Sequence, residues 1–494
     1  MRLQINLIIM KTKQILVAGL LLMGAMQLRA QQTSSTTSAI EDATETGYGL
    51  QNGAIQSLTS STSGAVFFGY QAGNHTTTKA THGDNNSFLG HRAGFTNTIG
   101  ASNVFVGALA GFSNLSGTQN IFVGANAGDA NTSGNRNVFV GQDAGGANTT
   151  ASFNTFTGWN SGLMNTASNN TFYGYGTGRA NTTGTDNAFF GTNAGILSTG
   201  SSNAFFGSGA GAKNTTGEAN VFTGYGAGAE NTTGSFNILL GFQTGQANQT
   251  GAANVFIGHG AGLHSTNNYS NVYVGHLSGF NATTGGNNVF LGSGAGYNTL
   301  GSSNVFIGVN AGYNESGSNK LYISSSDTAT PLIYGDFGTK KVGIGGFIHS
   351  ATADGFPTAA GSVSVANYSL FVKGGILTEE VRVNLATATG WADYVFADEY
   401  KLKTLPEVEK YIEVNGHLPN VPSAKQIKED GIEVGQMANI HQEKIEELTL
   451  YAIQQNKQIQ SQNEVLKAQK DQLDEQQKQI DELKAAVKAL SNKQ

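Results

Sequence analysis

Residues Asn103–Gly128 read NVFVGALAGFSNLSGTQNIFVGANAG and contain two copies of the element Asn-x-Phe-x-Gly-x-x-Ala-Gly. The element recurs fifteen times along the chain. Its first glycine stands at residues 69, 90, 107, 124, 141, 158, 174, 191, 207, 224, 241, 258, 275, 292 and 308. After a first interval of 21 residues the spacing is 16 or 17, and a second glycine follows each first glycine four residues later. Such a constant period predicts a repeat architecture.

The sequence of each repeat predicts one short strand of about five residues, a glycine corner, a second short extended segment and another corner. Asn-Thr-Thr-Gly segments such as 181–184 and 214–217 predict corners, because Asn and Gly tolerate positive φ. A 17-residue unit cannot bury a core alone, but stacked coils can pair strand on strand and Phe on Phe. We therefore expect a parallel β-roll or solenoid whose coils, about 4.8 Å apart, form a rod on the order of 70 Å long.

The strands have two apolar sides. The residue two places before the first glycine is Phe in thirteen repeats, with Leu239 and Tyr273 in the other two. Alternate strand residues face opposite sides, so flanking residues such as Val104 and Val106 face away from this column. One side can fill the coil, whereas the other would leave a long apolar stripe in water, and such stripes mark interfaces. Self-association is the simplest cover. A monomeric solenoid with its own two-sided core is the alternative.

The repeats from Gly64 to Ile323 resemble the head of trimeric autotransporter adhesins of the YadA type. The coils of that family carry a comparable Asn-x-hydrophobic-x-Gly strand and an Ala-Gly corner. The resemblance implies a left-handed parallel β-roll of three chains. The repeat here is longer, and the segment that anchors those adhesins in the outer membrane is not matched. The resemblance therefore implies the roll and the trimer but not autotransport.

Residues 1–30 predict a secretory signal peptide. Lys13 precedes an apolar run at Ile15–Met23, and Ala30 is a small residue suited to signal-peptidase cleavage. A short transmembrane anchor is the alternative, but this run falls well below the roughly 20 apolar residues that cross a bilayer. We expect a secreted or cell-surface protein with an N-terminal linker at 31–63 and no transmembrane segment in the mature chain.

Composition excludes several functional classes. Gly supplies 68 of 494 residues and Pro 5, without collagen's every-third spacing, which is typical of turn-rich repeats. The net charge is −6, and residues 64–318 hold five Lys and Arg residues, too few to bind nucleic acid. The chain has no cysteine, and no histidine stands at metal-ligand spacing with a second ligand. We predict no catalytic residue, cofactor or metal site, and hence no enzyme activity.

The composition changes after the last repeat. Residues 318–323 look like a degenerate final strand, and 324–367 are expected to form a connector and cap. Residues 368–423 include WADYVF at 391–396 and HLPNVPS at 417–423. This segment resembles the C-terminal domain of bacterial tail-fibre-like proteins.

That group is distantly similar to the endosialidase-type intramolecular chaperones, which help trimeric fibres assemble and can cut themselves off with a Ser and a Lys. The resemblance implies a small α+β assembly domain at 368–440. The Ser-Asp pair that opens the self-cleaving motif is replaced by Ala392-Asp393, so the resemblance extends to assembly but not to proteolysis. Trp391, Tyr394 and Phe396 are interpreted as core or interface aromatics.

Residues 441–494 predict a C-terminal coiled coil, because seven consecutive heptads begin at Ile445. The a positions are Ile445, Ala452, Ile459, Leu466, Leu473, Ile480 and Val487, and the d positions are Leu448, Gln455, Gln462, Gln469, Gln476, Leu483 and Leu490. The four glutamines depart from the Leu-at-d dimer pattern and favour three strands, with a dimer as the alternative.

The chain as a whole predicts an exported trimeric fibre that acts in adhesion or as a structural cell-surface rod. An Asn/Thr/Gly surface would face outward, and its ligands would be surface glycans or extracellular proteins, bound through the avidity of three copies. One alternative is a self-processing, chaperone-type tail-fibre protein with serine peptidase activity. The other is an architectural spacer without adhesive activity.

Overall fold

The repeats stack as a parallel β-solenoid of about fifteen turns, as the sequence predicts. The structure is a computed structural model that describes residues 55–56, 64–76, 85–328, 330–346, 355–384 and 390–492. The predicted signal peptide lies outside the described residues, as does the predicted linker apart from Ile55 and Gln56.

The chain divides into two compact units. The first comprises residues 1–303 and 313–316, and the second comprises residues 304–312 and 317–494. We number the coils 1 to 15 by their first glycine. Positions within a coil are counted from its initial Asn, so that the two glycines are at positions 5 and 9. Coil 1 has Ala65 at position 1.

The first unit contains a short antiparallel strand followed by fourteen parallel strands. The strands are β1 Ile55–Gln56, β2 Val66–Phe68, β3 Ser87–Leu89, β4 Val104–Val106, β5 Ile121–Val123, β6 Val138–Val140, β7 Thr155–Thr157, β8 Thr171–Tyr173, β9 Ala188–Phe190, β10 Ala204–Phe206, β11 Val221–Thr223, β12 Ile238–Leu240, β13 Val255–Ile257, β14 Val272–Val274 and β15 Val289–Leu291. β1 pairs antiparallel with β2, and every later strand pairs in parallel with its neighbour in the same register.

Each solenoid strand has three residues rather than the five that we predicted. The position-5 glycine directly after the strand has a φ of +130° to +145° in coils 2 to 14, which ends the extended ladder at once. In-register pairing places position 3 of every coil over position 3 of the next, as for Phe122 and Phe139. The column of aromatic side chains therefore runs through the inside of the coils.

This interior column is tightly packed and dry. Its rings are fully buried, and neighbours such as Phe105 and Phe122 stack with centroids 4.8 Å apart and planes 8° from parallel. Ala at position 8 fills the space beside the ring and is also buried. The flanking residues at positions 2 and 4 are half-buried or exposed. Among the described residues the coil therefore covers one apolar side only, and the two-sided monomeric core is not what this chain forms.

The corners differ from the predicted ones. Positive φ occurs at positions 5, 7, 9 and 17, for example at Gly207, Gly209 and Gly211. In the Asn-Thr-Thr-Gly segment, Asn181 and Gly184 do not have positive φ, so our reason for a corner there is wrong. Gly184 is required for steric reasons, because a Cβ at this residue would lie 2.7 Å from Oδ1 in the side chain of Asn181.

The second unit begins with strands that change direction. Its strands are β16 Val305–Ile307, β17 Lys320–Ile323, β18 Ile333–Asp336, β19 Lys341–Ile344, β20 Ala359–Ala360, β21 Val363–Ser364 and β22 Leu370–Val372. β17 pairs in parallel with β16, which confirms the predicted final strand. β18 and β19 then form an antiparallel hairpin against β17, and β22 pairs in parallel with β19.

Helices make up the rest of the second unit. A 3-10 helix at Ala392–Phe396 precedes α1 at Leu405–Asn415, α2 at Ala424–Asp430 and α3 at Val434–Ser491. Ser423 caps α2 by accepting a hydrogen bond from the Gln426 amide N–H, 3.2 Å away. α3 starts seven residues before the boundary that we predicted at 441.

Candidate interaction surface

The outer strand face of the first unit is a mainly apolar surface, interrupted in coil 6 by Thr155 and Thr157. Side chains at positions 2 and 4 point away from the buried ring column and remain exposed or half-buried. The more exposed members include Val66, Phe68, Leu89, Val104, Ile121, Tyr173, Phe206, Val221, Ile238, Leu240, Ile257 and Leu291. A column this long exceeds the isolated apolar residues that are normal on a monomer surface.

The asparagines do not form the outward surface that we predicted. Asn side chains are buried at position 1 in fourteen coils and at position 12 in the nine coils that have Asn there. At position 1, the Asn120 backbone N–H donates to Asn103 Oδ1 at 3.0 Å, and Asn120 Nδ2 donates to the Gly134 carbonyl at 2.8 Å. This pattern repeats from coil to coil, because an amide side chain both donates and accepts.

A second asparagine column at position 12 closes the corner. Asn131 Nδ2 donates to the Gly134 carbonyl at 3.2 Å and to Asn114 Oδ1 at 2.8 Å. The two columns thus meet at one carbonyl in coils such as coil 4, where both positions are Asn. Buried polar groups are costly unless hydrogen-bonded, and these ladders satisfy most of them; Asn148 Oδ1, Asn154 Nδ2 and Asn248 Oδ1 are the members without a partner among the described residues. Sequence reasoning missed this role, although an Asn at position 1 of fourteen repeats was the available signal.

Threonines do face outward, as we predicted. The hydroxyl of Thr215 donates to the carbonyl of Thr232 at 2.9 Å, and Thr232 donates in the same way to Gln249. Both threonines belong to the Asn-Thr-Thr corners. In this run of coils, the outer surface of the corners therefore presents threonines whose hydroxyl hydrogens are already used between coils.

The long helix α3 exposes its whole heptad seam. Every residue from Ala452 to Asn492 is exposed in the single chain, including the apolar a residues. Leu466 retains 60 % and Leu473 retains 65 % of its reference exposure. At 1.5 Å per residue the helix is about 87 Å long, and isolated helices depend on a packed apolar face for stability.

The first turns of α3 carry a polar cluster that the sequence analysis did not identify. Glu443 accepts hydrogen bonds from the hydroxyl of Tyr394 and from Lys444 Nζ, the latter at 2.6 Å. Lys444 also contacts Glu447 at 2.8 Å, and the Tyr400 hydroxyl donates to Glu447. These bonds attach the 3-10 helix and the segment after it to α3.

Charge and burial shift the pKa values in this cluster. The hydrogen bond to Glu443 and, secondarily, burial raise the pKa of Tyr394 to about 12. Burial opposes the charge on Glu443, but hydrogen bonds from Lys444 and Tyr394 outweigh it, so the pKa of this carboxyl is lowered. Burial also opposes the charge on Lys444, but the hydrogen bonds to the two glutamates outweigh it, so the pKa of this amine is raised.

The three aromatics of the WADYVF segment are not core residues of this chain. Trp391, Tyr394 and Phe396 are all exposed by more than a third, whereas Ala392 and Val395 are buried. The 3-10 helix turns the two small apolar residues toward α3, which leaves the rings outside. Their interpretation as interface aromatics stays a prediction.

In the described part of the chain, no group of three or more His, Asp or Glu side chains is placed to hold a metal ion. Within the same residues, no helix combines the length and apolarity that crossing a membrane requires.

Comparison with protein-family models, with curated proteins and with solved structures gives no match.

Proposed function

We propose that this chain is the subunit of an exported homotrimeric fibre that acts in adhesion or as a structural rod at the cell surface. The C-terminal region drives trimerisation. The support comes from two apolar surfaces, the outer strand face and the seam of α3, which the single chain leaves exposed.

The strand face is the observation that carries the proposal. Position 3 is fully buried, whereas positions 2 and 4 of the same strands are half-buried or exposed. Covering an apolar side chain stabilises by about 25 cal/mol per Å² removed from water, so a column of such residues strongly favours association. A second and third copy supply identical columns, and a closed three-fold arrangement lets the apolar face of each copy pack against the other two.

Three chains fit the C-terminal helix better than two. The a layers are apolar, and four of the seven d layers are glutamine. Polar layers weaken a coil but specify its order, and the Leu-at-d pattern of dimers is missing. The resemblance of the repeats to trimeric adhesin heads also favours three chains.

Multi-angle light scattering on residues 31–494 tests this proposal. We expect the mass of three chains. Replacing Ile121 and Val138 on the strand face with Asp should lower that mass or the stability of the assembly, because charges would be buried between copies. The matched control, Thr149→Asp at an exposed corner, should leave the mass unchanged. A wild-type chain that is folded and has the mass of one chain would contradict the proposal.

Adhesion and a purely architectural role are separated by binding measurements. An adhesive fibre should bind cells or immobilised extracellular ligands more tightly as a trimer than as dissociated chains, because three copies act together. If the trimer forms but binds neither, the architectural role remains.

A further inference from the structure

Position 6, directly after the corner glycine, carries an exposed column of aromatic rings on the first unit. In coils 6 and 7, Trp159 and Tyr175 stack with centroids 4.8 Å apart. In coils 10 to 13 the rings of Tyr225, Phe242, His259 and His276 stack at spacings of 5.3, 5.3 and 5.1 Å. Within both runs the rings lie one above another along the direction in which the coils stack.

The column is interrupted in coils 8 and 9. Position 6 is occupied there by Thr192 and Ser208, both exposed and too small to continue the stack. Tyr175 and Tyr225 therefore each have one ring face that no other ring of the column covers. They stand three coils apart, about 14 Å at the spacing of paired strands, which leaves about 11 Å between the ring surfaces. We call this space the tyrosine slot.

The floor and side of the tyrosine slot are open and polar. Thr192 and Ser208 present hydroxyls at its base. Beside them, a Cβ added at Gly209 would find no atom within 4 Å. The slot thus offers donors, acceptors and free volume between two aromatic walls.

The chemistry of the slot selects an uncharged partner. Positions 4 to 7 of coils 7 to 10 carry no charged side chain. Nucleic acid requires cations along its backbone, and an acidic glycan requires a basic partner, so neither is matched here. Neutral sugars have C–H faces that pack on aromatic rings and hydroxyls that bond to side-chain oxygens, which is the combination that Tyr, Thr and Ser supply.

We propose that the tyrosine slot binds a neutral glycan, with one sugar ring against Tyr175, another against Tyr225, and hydroxyls bonded to Thr192 and Ser208. This inference rests on the proposed adhesive function and names its ligand class and its contact residues. The slot lies on the far side of the corner glycine from the strand face. Each copy in a trimer would carry one slot, so weak single-site affinity would be multiplied by avidity.

The test measures binding of the full exported chain, residues 31–494, to neutral oligosaccharides (gluco-, manno-, galacto- and chito-tetraoses) and to sialylated and sulfated glycans as charged comparisons. We expect at least one neutral oligosaccharide to bind. Tyr175→Ser and Tyr225→Ser should each weaken that binding about tenfold or more, because each removes one wall. Serine is the native residue at position 6 of coils 9 and 14, so coils 7 and 10 should also accept a serine at this position.

A filling variant distinguishes the slot from the surface around it. Ser208→Trp would extend the ring column into the gap, so it should abolish binding without loss of thermal stability. The control variants Tyr70→Ser and His276→Ser remove position-6 rings that do not face the slot, and binding should persist. The inference is overturned if Ser208→Trp binds as wild type, or if only charged glycans bind.

Light scattering on the same preparations separates this inference from the proposed function. A trimer that binds no neutral oligosaccharide removes the glycan assignment and leaves the fibre. A trimer that binds an extracellular protein but no sugar does the same and supports adhesion by another surface. A chain that is monomeric removes the fibre proposal whatever it binds.

Discussion

Glycine at position 5 is required both by its backbone conformation and by the approach of the next coil. At Gly207, φ is +144°, and an added Cβ would lie 2.6 Å from the carbonyl carbon of Gly224 and closer still to the oxygen. The position-9 glycine meets a different neighbour: a Cβ at Gly211 would lie 2.7 Å from Cδ2 of Phe205. Each glycine column therefore exists because a specific neighbouring group occupies the space of a side chain.

We expect Gly207→Ala to destabilise the solenoid by roughly 3 kcal/mol or more, because backbone atoms cannot move aside without breaking the stack. Gly209→Ala is the matched control. It also has positive φ, at +67°, but no atom lies within 4 Å, so its cost should be about 1 kcal/mol. Chemical denaturation of both variants measures the difference. Equal losses would show that crowding between coils is not the cause.

Tyr273 is the one tyrosine in the buried ring column of coils 1 to 15. Burial raises the pKa of its hydroxyl well above the usual range; the nearby amides of Asn268 and Asn288 moderate the rise. The hydroxyl makes no hydrogen bond of normal geometry within the described residues. Tyr273→Phe should therefore increase the free energy of unfolding by about 1 kcal/mol, as measured by urea titration. A loss of similar size would mean that the hydroxyl is satisfied.

At the scale of elements, the hairpin of β18 and β19 covers the edge of β17 and contains a buried ion pair. Lys320 occupies position 1, where earlier coils have Asn, and its backbone N–H still bonds to Asn304 Oδ1 at 2.8 Å. Its Nζ lies 2.6 Å from Asp336 Oδ2 and 5.9 Å from the centroid of the Tyr334 ring. The pair ends the asparagine ladder and sets the hairpin against β17.

Stability of this hairpin should depend on pH at both extremes. Burial opposes both charges, but the hydrogen bond between the partners lowers the pKa of Asp336 and raises that of Lys320. The aspartate contribution is complete above its unfolded pKa of about 3.9 and is lost as pH falls through the lower folded value. The lysine contribution is complete below about 10.4 and is lost as pH rises through the higher folded value.

Asp336→Asn should cost about 3 kcal/mol near neutral pH, because Lys320 remains buried without its carboxylate. It should also reduce the acid-side loss that we expect of the wild type. Thermal unfolding followed from about pH 2, well below the unfolded aspartate pKa of about 3.9, to about pH 8 measures both effects. The exposed Asp327→Asn is the control and should reproduce the wild-type curve. An unchanged acid limb in Asp336→Asn would contradict the assignment.

At the scale of the whole molecule, two of the extended apolar surfaces that the chain exposes are the outer strand face and the seam of α3. Neither is covered by another described part of the chain. A soluble monomer rarely tolerates such surfaces, and oligomers cover them with identical copies. The proposal of a trimer therefore explains both surfaces with a single kind of partner.

Leu466→Glu combined with Leu473→Glu should prevent assembly through α3, because glutamate in an a layer places like charges together in the interface. Far-UV circular dichroism should show a loss of helix, since a long helix without a packed seam is marginal. Lys467→Glu, at the neighbouring b position, is the control. Unchanged helix content and mass in the double variant would show that this seam is not an interface.

The period, the parallel stacking and the two-sided strands follow from the sequence by itself. Repeats of constant length must stack, and alternation in a strand assigns Phe122 to one side and Val123 to the other whatever the rest of the fold does. The heptads of α3 are equally local, because a helix brings residues three and four apart onto one face. These features depend only on the geometry within a short segment of the chain.

The asparagine ladders, the three-residue strands and the tyrosine slot were decided only by the tertiary structure. Whether Asn120 faces in or out depends on the carbonyl of Gly134, fourteen residues on in the same coil, and on the backbone N–H of Asn137, which belongs to the next coil. The slot likewise exists only because coils 7 and 10 hold rings on either side of two small residues. Such features arise from contacts between coils, and the pattern within one repeat does not determine them.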